Sequence, residues 1–215
     1  MIIHILAGGP IELLPDFNLY GNEKITWVGV DRGVYTLLEA GIKPSIALGD
    51  FDSVTEEEFQ IIKKEVEQLF RFTPEKDETD MELALSWALK KMPEKIRIFG
   101  ATGGRLDHMF GNIQLLIQAN KNKNDVEVEI IDRQNIIFLK SPGAYRLQKI
   151  TDKKYISFIP ILAEVKGLTL NGFKYPLTEC HISLGSTLCI SNELLIDNGT
   201  FSFSEGILMI IRSTD

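Results

Sequence analysis

Ser45 to Ser53, SIALGDFDS, is the stretch from which the rest of the chain is read. Ile46, Ala47 and Leu48 form a short apolar run that stops at Gly49, the pattern of a buried strand ended by a turn. Two carboxylates follow, Asp50 and Asp52. In open α/β sheets ligands bind just beyond the carboxyl ends of the strands, so this is where chemistry is expected. Residues two apart in an extended segment project on the same side. Two like charges held close repel unless one is protonated or a cation lies between them. A magnesium ion whose shell is completed by phosphate oxygens meets that need. The competing reading is structural: Gly49-Asp50 begins a turn and Asp52-Ser53 caps the next helix.

Upstream, residues 2–7 read as a buried first strand that stops at Gly8-Gly9. Glycines there let backbone N–H groups approach a phosphate or nucleotide, although taken alone they are better read as a plain turn. Pro10 argues against a G-x-G-x-x-G fingerprint. Residues 25–30 (ITWVGV) form a second strand leading into Asp31-Arg32-Gly33, and residues 34–40 read as a helix with Gly41 at its C-cap and Pro44 beyond. Asp31 is either that helix's N-cap or a third carboxylate at a strand end; the two roles are compatible.

Downstream, Thr55-Glu56-Glu57-Glu58 is a capping box for a helix reaching about residue 68, and its acidic run suits the positive helix end without implying chemistry. A short strand over 69–72 precedes TPEKDETD (73–80). Thr79 and Glu82 form another capping box, and Met81, Ala84, Leu85, Ala88 and Leu89 supply the apolar stripe of the helix that follows. Asp80 has a structural explanation at that helix start, whereas Asp77 lies in the loop before it, a placement commoner for function. Residues 96–99 form a further strand running into GATGGRLDH (100–108), which opens a helix through about residue 119. Gly103 and Gly104 beside Thr102, Arg105 and Asp107 suit a phosphate cradle onto which Arg105 can fork, but the G-K-[ST] ending of a P-loop is missing. Asp107 as a helix cap is the bland alternative, and His108 is open between packing and proton transfer.

Strands alternating with helices to about residue 120 predict a Rossmann-like, mostly parallel sheet with helices on both faces over residues 1–124. The polar run 120–125 (NKNKND) marks a boundary. Beyond it, residues 126–131, 135–139, 144–147, 155–159, 164–170, 188–192 and 206–212 are short strand candidates punctuated by Gly, Pro, Asn and Asp. That predicts a small antiparallel β-sandwich over 125–215, with Asn171-Gly172 and Asn198-Gly199 as hairpin turns. His4, His181, Trp27 and Trp87 read as structural or surface residues.

The chain has 215 residues, 44% of them hydrophobic and 25% charged, the composition of an ordinary globular protein. A formal net charge of −7 argues against nucleic acid as a partner and favours a metal-nucleotide or a cationic small molecule. Cys180 and Cys189 are too few for a disulfide framework or a zinc site, so a reduced, cytoplasmic setting is expected. MIIHILAGG is expected to be a first strand rather than a signal peptide, and no run approaches transmembrane length.

GDFDS at 49–53, DETD at 77–80 and GATGGRLDH at 100–108 resemble, in order and spacing, the motifs of thiamine pyrophosphokinases, and Ser191-Asn192-Glu193 resembles the SNE element of that family's second domain. The resemblance covers essentially the whole chain. It departs at Glu78, where the family is expected to carry lysine, and in the second domain, which lacks tryptophan and offers Phe201 or Phe203 as aromatic substitutes.

The resemblance implies transfer of pyrophosphate from ATP to the hydroxyethyl group of thiamine, giving thiamine diphosphate and AMP. It implies magnesium held among Asp50, Asp52, Asp77 and Asp80 with Asp31 close by. The nucleotide would lie against Gly8, Gly9, Asp31, Thr102, Gly103, Gly104, Arg105 and Asp107. One aspartate, Asp80 or Asp52, would accept the hydroxyl proton. Ser191 and Asn192 would hydrogen-bond the aminopyrimidine from the partner subunit of a homodimer. A magnesium-dependent phosphohydrolase, another nucleotide-dependent transferase and a non-catalytic thiamine or nucleotide sensor are the alternatives.

Overall fold

The structure, a computed structural model, describes residues 1–21, 24–73, 75, 77–121 and 126–215, with the backbone alone at residue 121. The chain divides into two compact units, Met1–Arg133 and Gln134–Asp215. The boundary expected between residues 124 and 125 lies outside the described residues. The division falls later because the strand Glu127–Ile131 joins the parallel sheet of the first unit.

That first unit runs β1 (Ile2–Leu6), β2 (Ile25–Val30), α1 (Arg32–Glu39), β3 (Ile46–Gly49), α2 (Glu56–Glu65), β4 (Gln68–Arg71), α3 (Asp80–Lys90), β5 (Lys95–Phe99), α4 (Leu106–Lys121) and β6 (Glu127–Ile131). Its strands lie in the order β6-β5-β1-β2-β3-β4 and every pairing is parallel. The chain steps outward from β1 through β4, then returns to the other side of β1 with β5 and β6. The loops after β1 and β5 therefore flank a topological switch point, where α/β sheets bind ligands. Ala7 N–H donates to the Phe99 carbonyl (2.9 Å) and Gly9 N–H to the Gly100 carbonyl (2.9 Å), tying the two loops together there. All of β1 and β3 is buried, as the short apolar runs predict. Val34 of α1, Ala47 of β3, and Phe59 and Ile62 of α2 share one apolar cluster. Both halves of the capping box at Thr55 form. At α3 only the Thr79 half is present (Glu82 N–H to Thr79 Oγ1, 3.1 Å), and the Glu82 carboxylate accepts from Gln118 instead.

His4 is fully buried on β1, packed edge-on against Trp27 (4.7 Å between ring centroids) and Phe99 (5.2 Å). Arg97 Nη1 lies 3.3 Å from His4 Nε2, so the neutral ring accepts from the guanidinium. Burial first, and the Arg97 charge second, push its pKa down from 6.5 to about 3. The unfolded chain therefore takes up a proton below pH 6.5 that the folded chain refuses, so stability is full above that pH and declines as pH falls toward 3. Each pH unit in that window costs about 1.4 kcal/mol. The His4→Gln variant is expected to lose less stability than the parent between pH 6.5 and 4.5; urea unfolding at both pH values checks it, and parallel curves would refute it.

The second unit comprises β7 (Asn135–Lys140), β8 (Gly143–Gln148), β9 (Tyr155–Pro160), β10 (Glu164–Asn171), β11 (Leu177–Ser183), β12 (Asn192–Glu193), β13 (Asn198–Phe203) and β14 (Leu208–Ser213). They form the antiparallel sets β12-β9-β14-β7 and β11-β10-β13-β8. Phe158, Val165, Leu168, Phe173, Phe201 and Ile210 are among the buried residues of their common core. Phe201 (1% exposed) and Phe203 (5%) belong to it, with Tyr145 stacked on Phe201, so neither ring is presented to a ligand. Gly172 (φ 82°) does take a turn conformation. Asn198-Gly199, expected as a turn, instead begins β13; a Cβ at Gly199 would run into Leu194 and Phe173, so packing and not chain reversal explains this glycine. Leu188 and Ile190 are exposed and precede β12, which is confined to Asn192–Glu193.

Candidate functional site

Three segments of the first unit deliver carboxylates to one place. Asp31 follows β2, Asp50 follows β3, and Asp80 opens α3. One oxygen from each lies within 4.8 Å of the others, and all three side chains are half-buried; this is the group of potential metal ligands among the described residues. Hard oxygen donors in such a cluster match magnesium or calcium rather than a thiophilic metal. Asp31 is strongly perturbed. Burial, then the Asp80 charge, then those of Asp50 and Asp52, push its pKa up to about 6 against the pull of the Phe51 N–H. A cation on these oxygens would remove the mutual repulsion that raises it.

The backbone is bent to achieve this. Asp31 (φ 49°) and Phe51 (φ 62°) both take the left-handed conformation that side chains disfavour, at a cost of roughly 1–3 kcal/mol each. Phe51 is held there by burial against Phe59 (5.1 Å between centroids) and by its N–H donating to Asp31 Oδ1 (3.4 Å). Asp31 occupies the N-cap position of α1 but its side chain makes no cap hydrogen bond, so the carboxylate is turned to the cluster instead. Its N–H donates to the Leu48 carbonyl (2.9 Å), which ties the end of β2 to β3.

A second feature has no counterpart in the motifs. Arg32 forks onto Glu58 (3.1 and 3.0 Å) and also donates to the Ser53 carbonyl (3.1 Å). Glu58 in turn accepts from Thr55 N–H (2.8 Å). The Thr55 contact first, and Arg32 after it, hold the Glu58 carboxyl below its ordinary range. The pair clamps the Asp50–Ser53 loop to the first turns of α1 and α2. The adjacency of Arg32 to Asp31 was the available signal in sequence, but its partner lies far along the chain.

Asp52 and Asp77 are exposed and outside the carboxylate group. Asp52 N–H donates to Asp50 Oδ1 (3.0 Å), so Asp52 serves through its backbone to orient Asp50. Residues 74 and 76 of the TPEKDETD stretch lie outside the described residues; Glu78 is exposed.

In the loop after β5, Gly100, Gly103 and Gly104 all have positive φ, and a side chain at Gly103 would collide with Leu13 and Pro10. Thr102 is buried and its hydroxyl donates to Asp132 (2.7 Å), so it braces the loop rather than offering a phosphate ligand. Arg105 forms a two-point pair with Asp107 (3.1 and 2.6 Å) whose hydrogen bonds hold the Asp107 pKa at about 2. Both side chains are largely exposed, and such a surface pair is worth little, so an incoming phosphate can take Arg105. His108 is exposed at the start of α4.

In the second unit, Asn192 is 3% exposed and its amide makes three hydrogen bonds within the protein. Its Oδ1 accepts from Tyr175 N–H (3.0 Å) and Glu193 N–H (2.9 Å), and its Nδ2 donates to the Tyr175 carbonyl (2.8 Å). Ser191 is exposed, in the left-handed conformation (φ 57°), with its N–H donating to Ser157 Oγ (3.0 Å). The residue this arrangement presents to solvent is Tyr175, 58% exposed.

Comparison with known proteins finds the same two parts. Residues 17–129 match the family model "Thiamin pyrophosphokinase, catalytic domain", and residues 144–208 match "Thiamin pyrophosphokinase, vitamin B1 binding domain". The chain is 55% identical over 213 residues to the thiamine pyrophosphokinase of Bacillus subtilis (strain 168), covering 99% of each. It superposes on the crystal structure of thiamine pyrophosphokinase from Bacillus subtilis with a TM-score of 0.93 at 53% identity, covering 100% of both chains. The Geobacillus thermodenitrificans enzyme structure gives 0.91 at 53%, covering 100% of this chain and 98% of that one. A carboxylate cluster at the strand ends of the first unit, a second unit of antiparallel strands and this likeness along the whole length agree: the chain belongs to the thiamine pyrophosphokinase family.

Proposed function

We propose that the chain transfers the pyrophosphoryl group of magnesium-ATP to the hydroxyethyl oxygen of thiamine, releasing AMP. Thiamine pyrophosphokinase activity is that of its family. The observation that carries the mechanistic reading is the meeting of Asp31, Asp50 and Asp80. These three would hold the cation, which supplies neutralisation of the crowded phosphate charge. Arg105, released from Asp107, would fork onto phosphate oxygens at the switch point, where Gly8, Gly9, Gly103 and Gly104 leave room for them. The thiamine hydroxyl oxygen attacks the β-phosphorus, the bond from that phosphorus to the α-phosphate oxygen breaks, and the hydroxyl proton passes to a carboxylate. Asp52 and Asp77, exposed and outside the cluster, are the groups we assign to that neighbourhood, with Asp52 as acceptor. Positioning and electrostatics dominate a transfer of this kind.

This reading takes the first unit as a Rossmann-like catalytic domain with helices on both faces, and the second as a β-sandwich that binds thiamine and dimerises. Support for a homodimer is the set of exposed apolar side chains flanking Ser191 and Asn192: Tyr175, Leu184, Leu188, Ile190, Leu195 and Ile196. A cytoplasmic location goes with the free thiols Cys180 and Cys189; no described helix is long and apolar enough to cross a membrane.

Chromatography of a mixture of protein, ATP, magnesium and thiamine tests the reaction. AMP formed in step with thiamine diphosphate is expected. ADP with thiamine monophosphate, or ATP loss independent of thiamine, would overturn it. Because the Asn192 amide pins Tyr175 on both sides, we assign the Tyr175 ring to the thiamine face. Tyr175→Ala is expected to raise the KM for thiamine about tenfold, equivalent to one lost aromatic contact of roughly 1.4 kcal/mol, with the KM for ATP unchanged. Equal effects on both substrates would reject that assignment.

A further inference from the structure

Asp31 and Arg32 are consecutive, and they leave the end of β2 for two different duties. The Asp31 carboxylate joins the cluster with Asp50 and Asp80. The Arg32 guanidinium reaches the loop that carries Asp50: Nη1 donates to the Ser53 carbonyl (3.1 Å) and to Glu58 Oε2 (3.1 Å), and Nη2 donates to Glu58 Oε1 (3.0 Å). We propose, resting on the reading of Asp31, Asp50 and Asp80 as cation ligands, that Arg32 and Glu58 are positioning residues for the metal. Their fork fixes where Asp50 stands relative to Asp31 and thereby sets cation affinity.

Both ends of the fork start from fixed backbone. A Cβ at Gly33 would collide with the Leu6 and Ala7 backbone, so the first turn of α1 is pressed onto the end of β1 and Arg32 projects from an immobile base. Glu58 is placed by the capping box of α2, where its Oε2 also accepts from Thr55 N–H (2.8 Å), and its side chain is only 15% exposed. The loop held between them needs such support. Phe51 takes φ 62°, a conformation that side chains disfavour, and a strained turn persists only where its surroundings over-determine it. Burial of the Phe51 ring holds the middle of the loop, and the bond to the Ser53 carbonyl holds its far end. On charge alone an arginine is misplaced here, because a cation one residue from a metal ligand repels the metal. Glu58 answers that charge. The planar guanidinium gives the carboxylate two parallel bonds and keeps a donor for the Ser53 carbonyl, a geometry that lysine does not reproduce.

Manganese(II), which carboxylates take as they take magnesium, tests this through the loss of its free-ion EPR signal on titration with the whole protein, without nucleotide. Arg32→Ala is expected to raise the manganese Kd about tenfold, the low end of the cost of losing an outer-shell support. The sign is diagnostic, since removing a positive charge that had no positioning role would tighten binding. Arg32→Lys keeps the charge but not the fork; it should also weaken binding, and it covers the case in which alanine disturbs folding. Glu58→Gln breaks one arm of the fork and leaves the guanidinium charge unanswered, so it should weaken binding at least as much as Arg32→Ala. Thr55→Ala removes the hydroxyl cap of the same helix but leaves the fork, and should bind manganese like the parent. Unchanged or tighter binding in either Arg32 variant or in Glu58→Gln, or an equal loss in Thr55→Ala, would overturn the proposal while leaving the metal reading in place. A parent protein that binds no manganese would overturn both.

Discussion

Replacing Asp80 by Asn is expected to leave a folded protein whose turnover falls by about 100-fold or more, the scale of losing one strong electrostatic contact in a phosphoryl-transfer site. The reason is geometric. The three carboxylates share one locus, with oxygens within 4.8 Å of each other, and an amide keeps the shape of Asp80 while removing a third of the negative charge that attracts the cation. Magnesium should raise the melting temperature of the parent protein and do so much less for the variant, since a ligand stabilises only the state it binds. Asp31→Asn should behave differently without metal. The Asp31 carboxyl, pushed up to about 6, binds its proton more tightly folded than unfolded, so its contribution to stability is lost as pH rises from about 4 through 6. At neutral pH the ionised group therefore costs on the order of 2 kcal/mol, allowing for its partial contact with solvent. Removing it should raise the metal-free melting temperature by a few degrees at pH 7, a gain that shrinks below pH 6. Turnover within about threefold of the parent in Asp80→Asn would place the metal elsewhere.

How far these residues could be read from sequence depends on how local their causes are. The strands of the first unit were legible because each is a short apolar run closed by a turn residue, as IALG at β3 is. In β11, LTECHIS, only Ile182 is fully buried, and the strand lies at the edge of its sheet, so polar residues break the alternation that marks a strand. β13 begins with Asn-Gly, a turn signal overruled by close packing around Gly199. At the site, Asp50 and Asp80 were visible as carboxylates at a strand end and a helix start. Which carboxylates meet was not. Pairing Asp50 with Asp52 assumes extended backbone between them, and Phe51 at φ 62° breaks that geometry, so Asp50 faces Asp31 and Asp80. The Arg32–Glu58 clamp and the diversion of Thr102 to Asp132 depend on tertiary neighbours that no local pattern encodes. The Asn192 amide was identified as a polar group near a ligand, but three of its hydrogen bonds go to backbone groups of the protein, and the exposed ring it supports lies at Tyr175.

Gly49→Ala is expected to lower turnover as much as loss of a carboxylate does, although it removes no functional group. Gly49 ends β3 with φ 148°, and a Cβ built there falls on Asp31 Oδ1, with the Asp31 backbone N at 3.1 Å. The methyl group and the carboxylate cannot both keep their places. Asp31 is fixed through its N–H to Leu48, so the side chain must rotate out of the cluster or the turn carrying Asp50 must open. Either movement dismantles the three-oxygen locus. Gly41→Ala separates this from simple backbone strain. Gly41 has φ 72°, also costly for alanine at about 1–2 kcal/mol, but nothing lies within 4 Å of its Cβ position. Both variants should melt below the parent. Gly41→Ala should keep its turnover and its stabilisation by magnesium, whereas Gly49→Ala should lose at least about 100-fold in turnover together with the magnesium response. If Gly49→Ala instead turned over normally with magnesium-dependent stabilisation intact, Asp31 would be dispensable to the metal and the site would reduce to Asp50 and Asp80. Loss in both variants to the same degree would mean that global destabilisation, not displacement of Asp31, sets the outcome. The contrast between two positive-φ glycines of unlike surroundings, Gly41 with open space and Gly49 against Asp31, is therefore a test of why β3 ends in glycine: the residue leaves space for a carboxylate from the neighbouring strand.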